Sequence, residues 1–138
     1  MRWGRAATVI LVALATPTLA DICDDLTALR ADPSASAPLI AAADCATVLT
    51  LGEGRSLNCN WAHPFRSTSA SDQFTALVAS VSACLGASAE MPRDLIVNHP
   101  DSYDLRQFTD AQGTVAISLK DKGALQQTLV FMRFSPPS

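Results

Sequence analysis

Four cysteines, placed after an N-terminal export signal, constrain the fold of this 138-residue chain more than any other feature. They are Cys23, Cys45, Cys59 and Cys84. Exported chains fold in an oxidising compartment, where an even set of cysteines is expected to form disulfides. No two of the four have the close C-x-x-C spacing of zinc ligands or of a redox-active pair, so both of those roles are disfavoured. The pattern predicts a small fold held by two disulfides.

The export signal is predicted to occupy residues 1–20. Arg2 and Arg5 form its positive start, residues 6–16 are apolar or small, and Thr18 and Ala20 are small residues of the kind that a signal peptidase reads. The apolar run is shorter than the roughly twenty residues that a membrane-spanning helix needs. We therefore expect cleavage after Ala20, one domain over residues 21–138, no membrane span after cleavage, and a periplasmic or secreted location.

Charge and composition narrow the classes of partner. The formal net charge is −3, and it becomes −5 when the two arginines of the signal are removed. A nucleic-acid partner would require a basic face, so that class is disfavoured. Hydrophobic residues make up 49% of the chain and charged residues 17%, a balance that excludes intrinsic disorder.

Hydrophobic periodicity predicts an α+β fold. The expected architecture is an antiparallel sheet of about five strands, one packed helix between strands 1 and 2, and a short helical N-terminal region, joined by two disulfides. The predicted helices cover residues 21–31, 39–51 and 70–85. The predicted strands cover residues 56–66, 94–98, 103–109, 114–120 and 125–134.

Four cysteines allow three disulfide pairings, and local patterns favour one of them. Cys59 lies on the apolar side of the predicted strand 56–66, and Cys84 lies on the apolar stripe of the predicted helix 70–85. Both side chains are expected to point into one seam between strand and helix. The favoured pairing is therefore Cys59 with Cys84, which leaves Cys23 with Cys45.

A polar cluster between Asn98 and Asp104 is the densest set of candidate site residues. His99, Asp101 and Asp104 could ligate a metal ion or relay a proton. The same segment contains Pro100 and turn-forming aspartates, so we favour the interpretation that it is a rigid β-turn. No metal and no cofactor are predicted for the chain, and no recognised catalytic motif is present in it.

His63 and three aromatic residues are the other candidates. His63 lies on the apolar side of its predicted strand and is expected to be a packed histidine, although it would add to a site if the fold placed it near His99. Trp61, Phe65 and Tyr103 could form a partner-binding patch, with core packing as the favoured alternative.

These features favour a small exported binding module of the cell envelope, similar in role to an inhibitor or an accessory subunit. Its expected partner is another envelope protein, which would bind a surface or edge of the sheet. A small hydrolase or metal-dependent enzyme that uses the Asn98–Asp104 cluster is the alternative, and a small-molecule carrier is the second alternative. The sequence favours a role without catalysis.

Overall fold

The computed structural model describes residues 18–52, 54–93 and 104–137. This part of the chain forms two α-helices and one five-stranded antiparallel sheet. The α+β prediction is confirmed. The elements are α1 (Leu19–Ala31), β1 (Asp44–Leu49), β2 (Arg55–Pro64), α2 (Thr68–Leu85), β3 (Asp104–Asp110), β4 (Gly113–Lys122) and β5 (Gln127–Ser135). Short 3₁₀ helices cover Pro38–Ile40, Ala87–Ala89 and Gly123–Leu125.

The strands lie in the order β1-β2-β5-β4-β3, and every neighbouring pair is antiparallel. Helix α2 follows β2 and precedes β3, so its predicted place between the first and second strands is wrong by one strand. The reason is β1, which was not expected to be a strand. The described residues include no helix that is long and apolar enough to span a membrane.

The predicted helix over residues 39–51 is wrong. The chain instead forms one 3₁₀ turn and then β1, which pairs with β2 along its whole length. Its alanines favour a helix in isolation, but the ladder with β2 satisfies the backbone and the context overrides that propensity. The predicted strand at 94–98 lies outside the described residues. The remaining predicted helices and strands are found with ends shifted by a few residues.

Both helices pack against the same face of the sheet. That face carries most of the core, in a cluster that also contains Leu26 and Leu29 of α1 and Phe74 and Val81 of α2. Its strand residues are Leu57, Cys59, Phe108, Val115, Ile117, Leu119, Val130, Met132 and Phe134. The opposite face is partly open, since Leu105, Ala62 and Arg133 are exposed there. The described part of the chain is therefore a two-layer sandwich in which the helices cover one sheet face and leave the other partly exposed.

The disulfides are Cys23–Cys84 and Cys45–Cys59, so the predicted pairing is wrong. Cys23–Cys84 joins α1 to the last turn of α2. Cys45–Cys59 joins residues that lie directly opposite each other on β1 and β2. The prediction failed because residues 39–51 were expected to be helical, which left Cys45 without a strand position beside Cys59. Two disulfides are consistent with an oxidising, extracytoplasmic environment.

Helix α1 begins within the predicted signal. Thr18 and Asp21 form a capping box, in which each side chain binds the other residue's backbone amide. The hydrogen bond from the Thr18 hydroxyl, together with the one from its amide, lowers the pKa of the Asp21 carboxyl. Cleavage after Ala20 would remove this cap, but Cys23 would still hold the helix through its disulfide.

Arg30 ties the end of α1 to the turn between β3 and β4. Its side chain is 1% exposed, and its guanidinium binds the Asp110 carboxylate at 2.5 Å and the Gln112 side-chain oxygen at 3.3 Å. A third hydrogen bond goes from its Nε to the carbonyl of Leu26. Because the buried charge has both an ion-pair partner and neutral acceptors, it is compatible with the core around it.

Candidate functional site

A gap in the sheet lies beside the last four residues of β2. Strand β1 starts at Asp44, opposite Asn60, whereas β2 continues to Pro64. Residues 61–64 therefore pair with β5 on one side and with no strand of the described chain on the other. The chain that precedes β1 forms a 3₁₀ helix at Pro38–Ile40 and does not extend the strand. We call this unpaired edge of β2, which runs from Trp61 to Pro64, the β2 gap.

An open cleft of about 470 Å³ occupies the β2 gap. It is lined by Ala42, Asp44, Asn60, Trp61, Ala62, His63, Gln73, Gln127 and Leu129. Asp44 is the one acid in this lining, which contains no lysine or arginine. The lining combines apolar side chains with a few hydrogen-bonding ones, as is usual for sites that recognise a ligand by a few polar contacts.

The backbone of Ala62 faces the gap. The Cα atoms of Cys45 and Cys59 are only 4.0 Å apart, a separation typical of the pairs in an antiparallel ladder that do not exchange hydrogen bonds. Cys59 therefore turns its N–H and C=O toward β5, and by alternation Asn60 and Ala62 turn theirs toward β1 and the gap. Pro64 has no N–H, and its carbonyl accepts a hydrogen bond from the Ser67 amide. The gap thus offers one backbone donor and one acceptor, both of Ala62.

His63 connects the end of β2 to α2. Its Nδ1 lies 3.0 Å from the Ser69 hydroxyl, and its Nε2 lies 2.6 Å from the side-chain oxygen of Gln73. Since an amide oxygen only accepts, Nε2 donates to Gln73, and Nδ1 shares a hydrogen bond with the Ser69 hydroxyl. Both ring nitrogens are engaged with α2, so in this arrangement neither is available to a metal ion. His63 forms part of the wall of the gap and holds it against the helix.

The structure describes two of the three aromatic candidates, Trp61 and Phe65, and they differ in their relation to the cleft. Trp61 is half-buried, packs against the core and lines the gap. Phe65 is also half-buried, but it lies outside the lining, with the Arg66 guanidinium 5.0 Å from its ring centroid. Tyr103, the third residue of the predicted patch, lies outside the described residues. Of the two aromatic candidates that the structure describes, Trp61 contributes to the cleft and Phe65 does not.

Most of the Asn98–Asp104 cluster lies outside the described residues, including His99 and Asp101. Asp104 begins β3, and both of its carboxylate oxygens lie within 2.7 Å of one guanidinium nitrogen of Arg93. Among the described residues, no group of three histidine, cysteine or acidic side chains is arranged to hold a metal ion. The turn and metal interpretations of this cluster remain predictions.

Sequence reasoning missed Asp44, Ala42 and Gln73 as site residues. Asp44 and Ala42 fall in the segment predicted to be helical, so nothing indicated that Asp44 begins a strand beside β2 or that Ala42 lies just before that strand. Gln73 lies on α2 between the buried positions Ala70 and Phe74, where it reaches His63. A helix-facing histidine on the preceding strand was a usable signal that α2 would offer it a polar partner.

Comparison with known proteins finds no matching family model, no matching curated protein and no matching solved structure.

Proposed function

We propose that this protein is a small exported binding module, in the periplasm or outside the cell, that takes an extended segment of another envelope protein into the β2 gap. The observation that carries the proposal is the unpaired end of β2 with a cleft of about 470 Å³ beside it. Addition of a strand to an exposed sheet edge is a common way to bind a peptide, with backbone hydrogen bonds for affinity and side-chain pockets for specificity.

The opposite edge of the sheet, formed by β3, differs from the β2 gap, and this difference supports the proposal. Strand β3 is covered by the segment after α2, where Glu90 bridges to Phe108 and the Met91 amide binds the Gln107 carbonyl. An ion pair between Arg106 and Glu90 holds that cover in place. Native proteins protect edges that should not pair, and this chain covers part of β3, whereas no described residue pairs with the β2 gap. The difference fits an edge that is kept for a partner.

The shape of the cleft favours a peptide over an enclosed small molecule. A carrier would need a closed apolar cavity, whereas this cleft is open to solvent and has polar side chains from Asn60, His63 and Gln73 in its wall. Only one residue, Ala62, offers backbone hydrogen bonds. The gap is therefore suited to a short extended segment, with one residue that pairs with Ala62 and neighbours that contact the walls.

The test is a selection of extended peptides from a random display library, followed by amide hydrogen exchange on the selected complex. We expect exchange of the Ala62 amide to slow on binding, while the outward-facing Thr47 amide of β1 is unaffected. Ala62→Pro should weaken binding at least tenfold, because it removes the donor in the gap. Thr47→Pro is the matched control, since it removes an edge donor outside the gap.

Thermal melts of both proline variants serve as the control for folding. The hydrogen-exchange measurement uses the unmutated protein, so it tests the site independently of the variants. In cells, a photo-crosslinking residue at position 62 should capture a specific envelope protein that the same residue at position 47 does not. Equal capture at the two positions, or peptides that protect Thr47 rather than Ala62, would show that the gap is not the binding site.

A further inference from the structure

We infer that the segment bound in the β2 gap carries a lysine or arginine that pairs with Asp44; this inference rests on the proposed function. Asp44 is exposed and stands at the end of the gap, where β1 begins. The hydrogen bond that joins it to Asn60 uses its backbone carbonyl and leaves the carboxylate available. It is the single acid in the lining.

The ladder geometry places a guest side chain next to this carboxylate. A residue bound opposite Ala62 occupies the line of β1, two positions before Asp44, which lies opposite Asn60. Residues two apart on a strand point to the same face and are separated by roughly 6 to 7 Å. Because Ala62 supplies both backbone hydrogen bonds, the position of that guest residue is determined. A lysine or arginine there spans the distance to the Asp44 carboxylate.

Three cations lie on the same face of the sheet, Lys120, Lys122 and Arg133, but none of them lines the cleft. The Lys120 ammonium lies 5.4 Å from the centroid of the Phe131 ring, and the Arg133 Nε binds the Asn58 side chain at 2.9 Å. The chain carries a formal charge of −3 as a whole. The charge of the cleft lining and the overall charge therefore both favour a basic segment over an acidic one, because opposite charges steer association and disfavour the wrong partner.

The test compares two synthetic peptides, acetyl-Thr-Val-Lys-Val-Thr-amide and the same peptide with norleucine in place of lysine. Binding to the mature protein is followed by the shift of the Ala62 amide in NMR titrations at low salt. We expect the lysine peptide to bind about 2 to 5 times more tightly, as is usual for an exposed ion pair. Asp44→Asn should abolish this preference and leave the affinity of the norleucine peptide unchanged. Added salt should reduce the preference of the unmutated protein for lysine.

Asp24→Asn is the matched control, since it removes an exposed acid on α1 and should leave the preference intact. If both peptides shift Ala62 with equal affinity and Asp44→Asn changes neither, the inference about charge is overturned and the binding site stands. If neither peptide shifts Ala62, the proposed function fails and this inference fails with it.

Discussion

The two disulfides should differ in their contribution to stability by an amount set by the loops they close. Cys23–Cys84 joins residues 61 positions apart, and Cys45–Cys59 joins residues 14 apart. In the chain-entropy model these separations correspond to about 4 and about 3 kcal/mol of the free energy of unfolding. Domains of this size have total stabilities of roughly 5 to 15 kcal/mol, so either loss is a large fraction.

The experiment is urea unfolding of the mature protein and of two double variants, Cys23→Ala with Cys84→Ala and Cys45→Ala with Cys59→Ala. With a slope of about 1 to 3 kcal/mol per molar urea, each variant should unfold at a clearly lower midpoint. We expect the loss of Cys23–Cys84 to be the larger effect by about 1 kcal/mol. Cys59 is fully buried, so its truncation adds a small packing loss that narrows this difference.

A second measurement, on the unmutated protein, avoids the packing loss that truncation of Cys59 adds to the change in stability. Partial reduction of the unmutated protein, with peptide mapping to identify which disulfide has opened, compares the two bridges with every side chain present. The map itself must give fragments that join Cys23 to Cys84 and Cys45 to Cys59. A fragment that joins Cys59 to Cys84 would refute the assignment, and a larger loss from the shorter loop would refute the entropic reasoning.

Two further outcomes follow from the core. Asp110→Ala should lower the free energy of unfolding in urea by about 3 kcal/mol, because it leaves the buried Arg30 guanidinium without its anion. Arg30→Met should lower it by less, because that substitution removes the buried charge itself. Equal losses for the two variants would contradict this reasoning. Val81→Asp should prevent folding, because Val81 is 1% exposed and lies among apolar residues. Ala79→Asp, on the exposed face of α2, should shift the thermal midpoint little. Similar midpoints for the two variants by circular dichroism would show that the helix face is misassigned.

Long, regular patterns in the sequence predicted their elements well. Helix α2 was predicted from Phe74, Leu77 and Val81 at helical spacing, and all three are buried. The alternation along β2 was equally direct, and Leu57 and Cys59 on its covered face are buried. These signals are local, so tertiary contacts only reinforce them.

The segment before β2 could not be predicted in the same way. Its alanines favour a helix, but Thr47, Val48 and Leu49 suit a strand, and the choice is made by pairing with β2 and by the disulfide at Cys45. The β2 gap depends on where β1 starts relative to β2. That register is a tertiary property, and neither strand encodes it alone.

The Cys45–Cys59 disulfide, which requires an oxidising compartment, fixes the register of β1 beside the proposed binding site. It lies one residue pair from Asp44 and Asn60, which form the end of the gap. A slip of β1 by one residue would turn each of its side chains to the other face, and a covalent link directly across the pair forbids that slip. The gap is therefore preorganised for the proposed segment, and a host that needs no ordering on binding favours affinity. In the reduced chain, β1 would be free to fray and its start would no longer define the gap. Formation of the disulfide after export would then complete the binding site in the compartment where the partner is expected.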